Sequence, residues 1–331
     1  MSELPFGITQ KELRIGIGIA VAAGIAALLP LFDQGYYLSL SVNLMLYAAL
    51  CTAWTLFSGP THYVSLASAA FFGLGTYAVA LGVESIPFPI LVAFGAVAAA
   101  ILAGLVGAAT LRLSGVYFVI FTLGLAELVR QVVTWAQAKF TGKTGLYVFT
   151  DFREMHIFWM LLALTIAIFI TGWLINRSRL GFAMQIIGND ETVARHVGID
   201  TARAKILLFM ISGAFIGIAG AICAPRYAYI QPPSAFNPQI SFLVVIMALL
   251  GGTKRLWGPL VGVVPFIFVM DFVAARLPNQ MPIVMGIAFL AIVYFVPNGI
   301  TGVLEKALAK WKARKAPAPQ AVADKPAEVR P

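Results

Sequence analysis

The chain has 331 residues, 60% of them hydrophobic and only 11% charged, with a mean hydropathy of +0.89. A soluble domain carries roughly a quarter charged residues, so this composition excludes an ordinary soluble enzyme and indicates a polytopic membrane protein. The net charge of +9 comes from Lys and Arg in loops and tail without an RNA- or DNA-binding motif, which argues for a topology signal and against nucleic acid.

Divided by the ~20 residues that a bilayer-spanning helix needs, the length allows about ten spans. The predicted fold is all-α and polytopic, with about ten transmembrane or re-entrant helices at 15–32, 37–57, 64–82, 88–111, 116–136, 157–176, 206–223, 240–252, 257–275 and 281–300. Lys11 and Arg14 precede the first apolar run, which is longer than a signal-peptide core and lacks a cleavage site, so it is read as a retained helix. If segment 177–205 is cytoplasmic, Lys11, Arg14, Arg112, Arg177, Arg179, Arg195, Arg203, Lys205, Lys254, Arg255 and every basic residue after 300 lie inside. Only Lys139, Lys143, Arg153, Arg226 and Arg276 fall outside, and Arg130 lies within a span. This asymmetry predicts N-in, C-in. The permease domain is expected over 1–303, followed by a tail, 304–331, that turns from a basic amphipathic piece around Trp311 to a Pro/Ala-rich, partly disordered end.

Along the spans, Cys51 and Cys223 read as small packing residues. Gly213, Gly217 and Ala221, like Ala69 and Gly73, are spaced for close helix approach in lipid. Span 116–136 holds Glu127 and Arg130 at i,i+3 spacing. Each charge costs roughly 2.5–3.5 kcal/mol at mid-membrane, so this helix is expected to hide its polar face against other helices or a cavity, and the pair is either a structural ion pair or a substrate contact. Asp271 lies near an outer end without an obvious partner in its own helix. Gly251-Gly252 followed by Gly258-Pro259 predicts a helix that breaks and restarts, a feature that often lines transport paths.

Segment 177–205 is the long polar interruption. Within it, 189–198 reads as a short capped helix: Asn189 as the cap, Asp190 and Glu191 in the first turn, Arg195 and His196 in the last, and Gly198 as the C′ residue. Val193 and Val197 share one face, and Glu191 and Arg195 form an i,i+4 pair. The helix is either a docking element outside the membrane or a peripheral helix resting on headgroups.

Catalytic chemistry is not visible. His62, His156 and His196 are isolated, and no cluster with metal-ligand spacing occurs. Gly142-Lys143-Thr144 resembles the end of a phosphate-binding loop, but Gln137 stands where its first glycine belongs. ATP, if used, is bound by another chain.

Four stretches carry a family resemblance: VSLASAAFFGLGTYAVA at 64–80; LRLSGVYFVIFTLGLAELVR at 111–130; SRLGFAMQIIGNDETVARHVGI at 178–199, running on into KILLFMISGAFIGIAGAI at 205–222; and GGTKRLWGPLVGV at 251–263. In these the chain resembles the permease subunit of branched-chain amino-acid ABC importers, of the LivM type. The resemblance implies a bacterial inner-membrane complex with a second homologous permease, two cytoplasmic ATPase subunits holding ATP and Mg, and a periplasmic solute-binding protein, with no cofactor in this chain. It assigns Asn189, Asp190, Glu191, Thr192, Arg195 and Gly198 to ATPase coupling. The intramembrane charges and the broken helix make Glu127, Arg130, Gly251 and Gly252 the pathway candidates, together with Ser65. Phe182 and Gly188 stand where members often carry arginine. Urea, short amides and aromatic acids remain alternative solutes, and an ATPase-independent channel or ion-coupled carrier remains the alternative class.

Overall fold

The computed structural model describes residues 35–110, 115–295 and 299–302. The expected span 15–32 and the tail 304–331 lie outside them. Among the described residues, seven helices are long and apolar enough to cross a membrane, and two shorter apolar helices accompany them.

Helix α1 (Tyr36–Thr61) is the central element, with Trp54, Phe57, Ala49 and Ala53 enclosed in the core. Its hydroxyls at Thr52, Thr55 and Thr61 donate to carbonyls four residues back, which satisfies them without interrupting the apolar packing. The helix ends at His62, whose φ of 59° is left-handed.

The next expected span, 64–82, is not one continuous helix. Helix α2 covers only Ser68–Gly82, and residues 62–67 are non-helical. Trp54 Nε1 donates to the Ser65 carbonyl at 2.8 Å. Trp54 lies two turns before the end of α1, so the non-helical segment climbs ~10 Å back into the bundle at 1.5 Å per residue. Such backbone is tolerated at membrane depth only when its polar groups find partners. Hydroxyls supply them: Leu66 N–H donates to Thr122 Oγ1 at 3.0 Å, and Ala67 N–H to Ser65 Oγ at 3.3 Å. Ala69 N–H donates to Ser241 Oγ at 2.8 Å, and that hydroxyl donates to the Leu66 carbonyl at 2.7 Å.

Helices α3 (Phe88–Thr110) and α4 (Val116–Thr141) follow, then strand β1 (Leu146–Tyr147), α5 (Glu154–Arg177), α6 (Arg179–Asn189), α7 (Glu191–His196) and α8 (Thr201–Cys223), which runs on into a 3-10 turn, Ala224–Arg226. Strand β2 (Tyr229–Ile230) pairs antiparallel with β1, Leu146 opposite Ile230; the apolar patterns that reveal helices did not announce this clasp. Helix α9 (Pro232–Ala235), α10 (Pro238–Gly251), α11 (Gly258–Arg276) and α12 (Met281–Phe295) follow, and residues 299–302 are again helical.

Helices α2, α3 and α8 touch backbone to backbone. A Cβ at Gly75 would lie 1.8 Å from the Gly217 carbonyl oxygen, one at Gly220 2.1 Å from the Phe72 carbonyl, and one at Gly213 2.8 Å from the Ala103 methyl. This is the close approach that small residues permit in lipid. Cys51 and Cys223 are both buried. The predicted break occurs where expected: α10 ends at Gly251, Gly252 adopts a φ of 103°, and α11 restarts at Gly258. It is a hairpin turn at the end of the bundle that carries α6 and α7, since a Cβ at Gly59 near the end of α1 would meet the Thr253 carbonyl at 2.8 Å.

Two partnerships tie the opposite end. Arg226 donates to Asn43 Oδ1 and Ser39 Oγ, each at 2.6 Å, and pairs with Glu154 at 3.4 Å. Asp271, without a partner in its own helix, accepts the Tyr36 hydroxyl.

Candidate functional site

Segment 177–205 contains two helices where the sequence suggested one. Ser178 caps α6, its hydroxyl accepting from Gly181 N–H, and α6 packs a Gly181–Met184–Ile187 face inward. Asn189 is the last residue of α6 and lines a cavity of about 490 Å³ with Pro60, Gln185, Thr253 and Lys254. It does not cap α7.

That role falls to Asp190, a correction with a simple cause. Asp190 has extended backbone (φ −156°, ψ 112°), and its Oδ1 accepts from Thr192 N–H at 2.7 Å and Val193 N–H at 3.2 Å. A carboxylate at a helix N-terminus satisfies free amides and complements the dipole together. The same bonds from Val193 and Thr192 hold the Asp190 carboxyl below its ordinary range. At the other end Gly198 takes a φ of 83° and donates to the Arg195 carbonyl, while Ile199 N–H reaches back to Ala194. Arg195 and His196 occupy the last turn.

Helix α7 buries little of itself: only Ala194 is enclosed. Val193 is 50% and Val197 67% exposed, so an apolar pair faces outward. Glu191 makes the inward attachment. Its Oε1 accepts from Arg195 at 2.8 Å, Lys205 Nζ at 2.9 Å and Thr201 Oγ1 at 3.2 Å, and its Oε2 accepts from the Tyr63 hydroxyl at 3.4 Å. Burial pushes the Glu191 carboxyl up, but the bonds from Lys205 and Arg195, the Lys205 charge and Thr201 outweigh it and leave the carboxyl below its ordinary range.

The pathway candidates do not converge. Ser65 is buried in the hydroxyl-braced segment before α2, and Gly251 and Gly252 form the α10–α11 turn. On α4, Arg130 Nε donates to Glu127 Oε2 at 2.8 Å, its Nη2 bonds Glu127 Oε1, and Gln131 Nε2 reaches the same oxygen at 2.9 Å. The pair exists as the i,i+3 spacing implied. It is not hidden, however: the side chains are 43% (Glu127) and 27% (Arg130) exposed, because α4 packs along Phe118, Thr122, Ala126 and Val129 and leaves its other side uncovered by the described residues.

Sequence reasoning missed Lys205, Tyr63, Thr201, Thr122 and Ser241 in the positions where they matter. Lys205 reads as one more basic residue at a membrane boundary, yet its side chain is 1% exposed. The available signal was its place at the head of an apolar run, facing an acidic first turn fourteen residues earlier.

The chain matches the family model described as the branched-chain amino acid transport system / permease component over residues 36–296. It is 28% identical over 278 residues to the high-affinity branched-chain amino acid transport system permease protein LivM of Escherichia coli K12, a match covering 74% of this chain and 57% of that protein. The L-arabinose transport system permease protein AraH of Escherichia coli K12 is 34% identical over 141 residues, covering 40% of this chain and 42% of that protein. The ribose import permease protein RbsC of Escherichia coli K12 is 26% identical over 100 residues, 29% and 31% of the two chains. The chain thus spans little more than half the length of the LivM proteins it matches.

Proposed function

The chain belongs to the family of branched-chain amino acid transport permease components, and on that premise we propose that it is a membrane-spanning permease subunit of an ATP-driven importer in a bacterial inner membrane. It performs no covalent chemistry. Substrate moves by alternating access as partner ATPases, which hold ATP and Mg, close and open on the side that carries α6 and α7. The further partners are a second homologous permease and a periplasmic solute-binding protein. Branched-chain or other hydrophobic amino acids are the proposed solutes, by similarity to what the LivM name states; the arabinose and ribose relatives make the binding protein's ligand the deciding measurement.

The observation that supports this reading is α7: a helix capped at both ends by its own residues, with Val193 and Val197 turned outward and Glu191 turned inward. A rigid element with one face for a partner and one attachment to the bundle suits the transfer of a partner's movement.

The test is purification from native membranes followed by reconstitution. The wild type is expected to bring ATPase subunits with it. Glu191→Arg and Gly198→Pro are expected to lower binding-protein-stimulated ATP hydrolysis and uptake at least tenfold while the complex still forms. Normal stimulation in both variants would overturn the coupling assignment. A chain that emerges without any ATPase, and alone carries solute down a gradient, would establish the channel or carrier reading.

A further inference from the structure

Lysine is almost never fully enclosed unless paired, and Lys205 is enclosed within the first turns of α8. Its ammonium donates to Glu191 Oε1 at 2.9 Å and to the Tyr63 hydroxyl at 3.3 Å, and stands 4.7 Å from the centroid of the Tyr63 ring. Stability alone does not explain this arrangement, because apolar residues of similar volume serve a buried site as well as an ion pair or better. What the pair does is hold α7. That helix has six residues and one buried side chain, too little apolar contact to fix its position, so its attachment leans on the donors from outside it that converge on Glu191: Lys205, Thr201 and Tyr63.

The same ammonium reaches the other side of the junction. Tyr63 belongs to the non-helical segment before α2, and its ring meets Phe118 of α4 edge-on at 5.3 Å between centroids. Phe118 is fully buried among Phe57 and Phe209. Two residues beyond Tyr63 begin the bonds with Trp54, Thr122 and Ser241 that fix this segment inside the bundle. Residues 62–67 are therefore stiff: displacement at Tyr63 has few internal degrees of freedom in which to dissipate.

We propose that Lys205 is the positioning residue that joins α7 to the membrane core, passing displacement of α7 through Glu191 and Tyr63 into segment 62–67 and the buried start of α2. The transmission half of this inference rests on the reading of α7 as the ATPase contact; the attachment half does not.

The experiment separates the two. In the purified full chain, a nitroxide at Val197→Cys reports the mobility of α7 without any partner. Lys205→Met is expected to mobilise the label, Lys205→Arg to restore most of its immobilisation, and Tyr63→Phe, which removes only a hydroxyl, to give a smaller change. In the reconstituted complex, Lys205→Met is expected to retain assembly and basal ATP hydrolysis while uptake per ATP hydrolysed falls at least tenfold, and Tyr63→Phe to lower it severalfold. An unchanged label in Lys205→Met overturns the attachment. A mobile label with unchanged uptake per ATP overturns the transmission, as does a parallel loss of assembly and uptake that Lys205→Arg does not rescue. If the wild type carries no ATPase, the function reading and the transmission fall together, and the label still decides the attachment.

Discussion

The hydroxyl of Ser241 accepts the backbone N–H of Ala69 at 2.8 Å, joining the first turn of α10 to the first turn of α2 inside the bundle. It also donates to the Leu66 carbonyl, so one fully buried side chain serves a first-turn amide of α2 and a carbonyl of the non-helical segment before it.

Ser241→Ala is therefore expected to destabilise the protein by about 1–3 kcal/mol, the range for leaving a buried polar group unpaired. Thermal unfolding in detergent measures it. Thr134→Ala removes a hydroxyl that only bonds its own helix at an exposed site and should stay within about 0.5 kcal/mol.

Two glycines in helices give opposite outcomes. Gly75→Ala drives a methyl into the Gly217 carbonyl, and since backbone must move, a loss at or above the ~1–3 kcal/mol typical of overpacking is expected. Gly124→Ala meets nothing within 4 Å and should be neutral or stabilising by about 0.5–1 kcal/mol from helix propensity. Paired melting curves distinguish them.

The pH dependence of α7 follows from its carboxylates. Glu191 has a folded pKa below its unfolded value, so the unfolded state binds more protons between the two, and the Glu191 contribution is fully present above the unfolded value near 4.5. It is lost as pH falls through the lower folded pKa. In hydrogen exchange, the extra protection of α7 amides in wild type over Glu191→Gln should be constant through neutral pH and disappear only on strong acidification. Its disappearance near pH 7 would contradict the assignment.

The open side of α4 presents Gly124, Glu127, Gln131 and Thr134 together with Phe121, Leu128 and Trp135. A face that mixes an ion pair and amides with apolar residues suits protein or a water-filled path better than lipid. If a second permease covers it, cysteines at Leu128 or Gln131 should cross-link to that chain in native membranes, whereas a cysteine at Leu105, exposed on α3 among apolar residues, should not. Cross-linking at Leu105 alone would place the partner elsewhere.

Much of the architecture was legible in the residues. Continuous apolar runs located the membrane-length helices, although the runs at 64–82 and 281–300 form shorter ones. The Gly213–Gly217 spacing marked the α8 side of the α2–α3–α8 contact, but on α2 the contact is made by Gly75, while Gly73 packs on the Phe236 ring. Glycine pairs marked the α10–α11 break, and Glu191, Arg195 and Gly198 outlined α7. These are local signals, decided by residues a few positions apart. The tertiary structure decided the rest. It started α2 late at Ser68, because hydroxyls from Thr122 and Ser241 were present to satisfy a non-helical backbone. It moved the α7 cap from Asn189 to Asp190, where the carboxylate meets two amides. It paired Asp271 with Tyr36 and Arg226 with Asn43, and enclosed Lys205 between Glu191 and Tyr63. Most of these partners lie more than fifty positions apart along the chain, so their electrostatic and hydrogen-bonding complementarity exists only once the helices have packed.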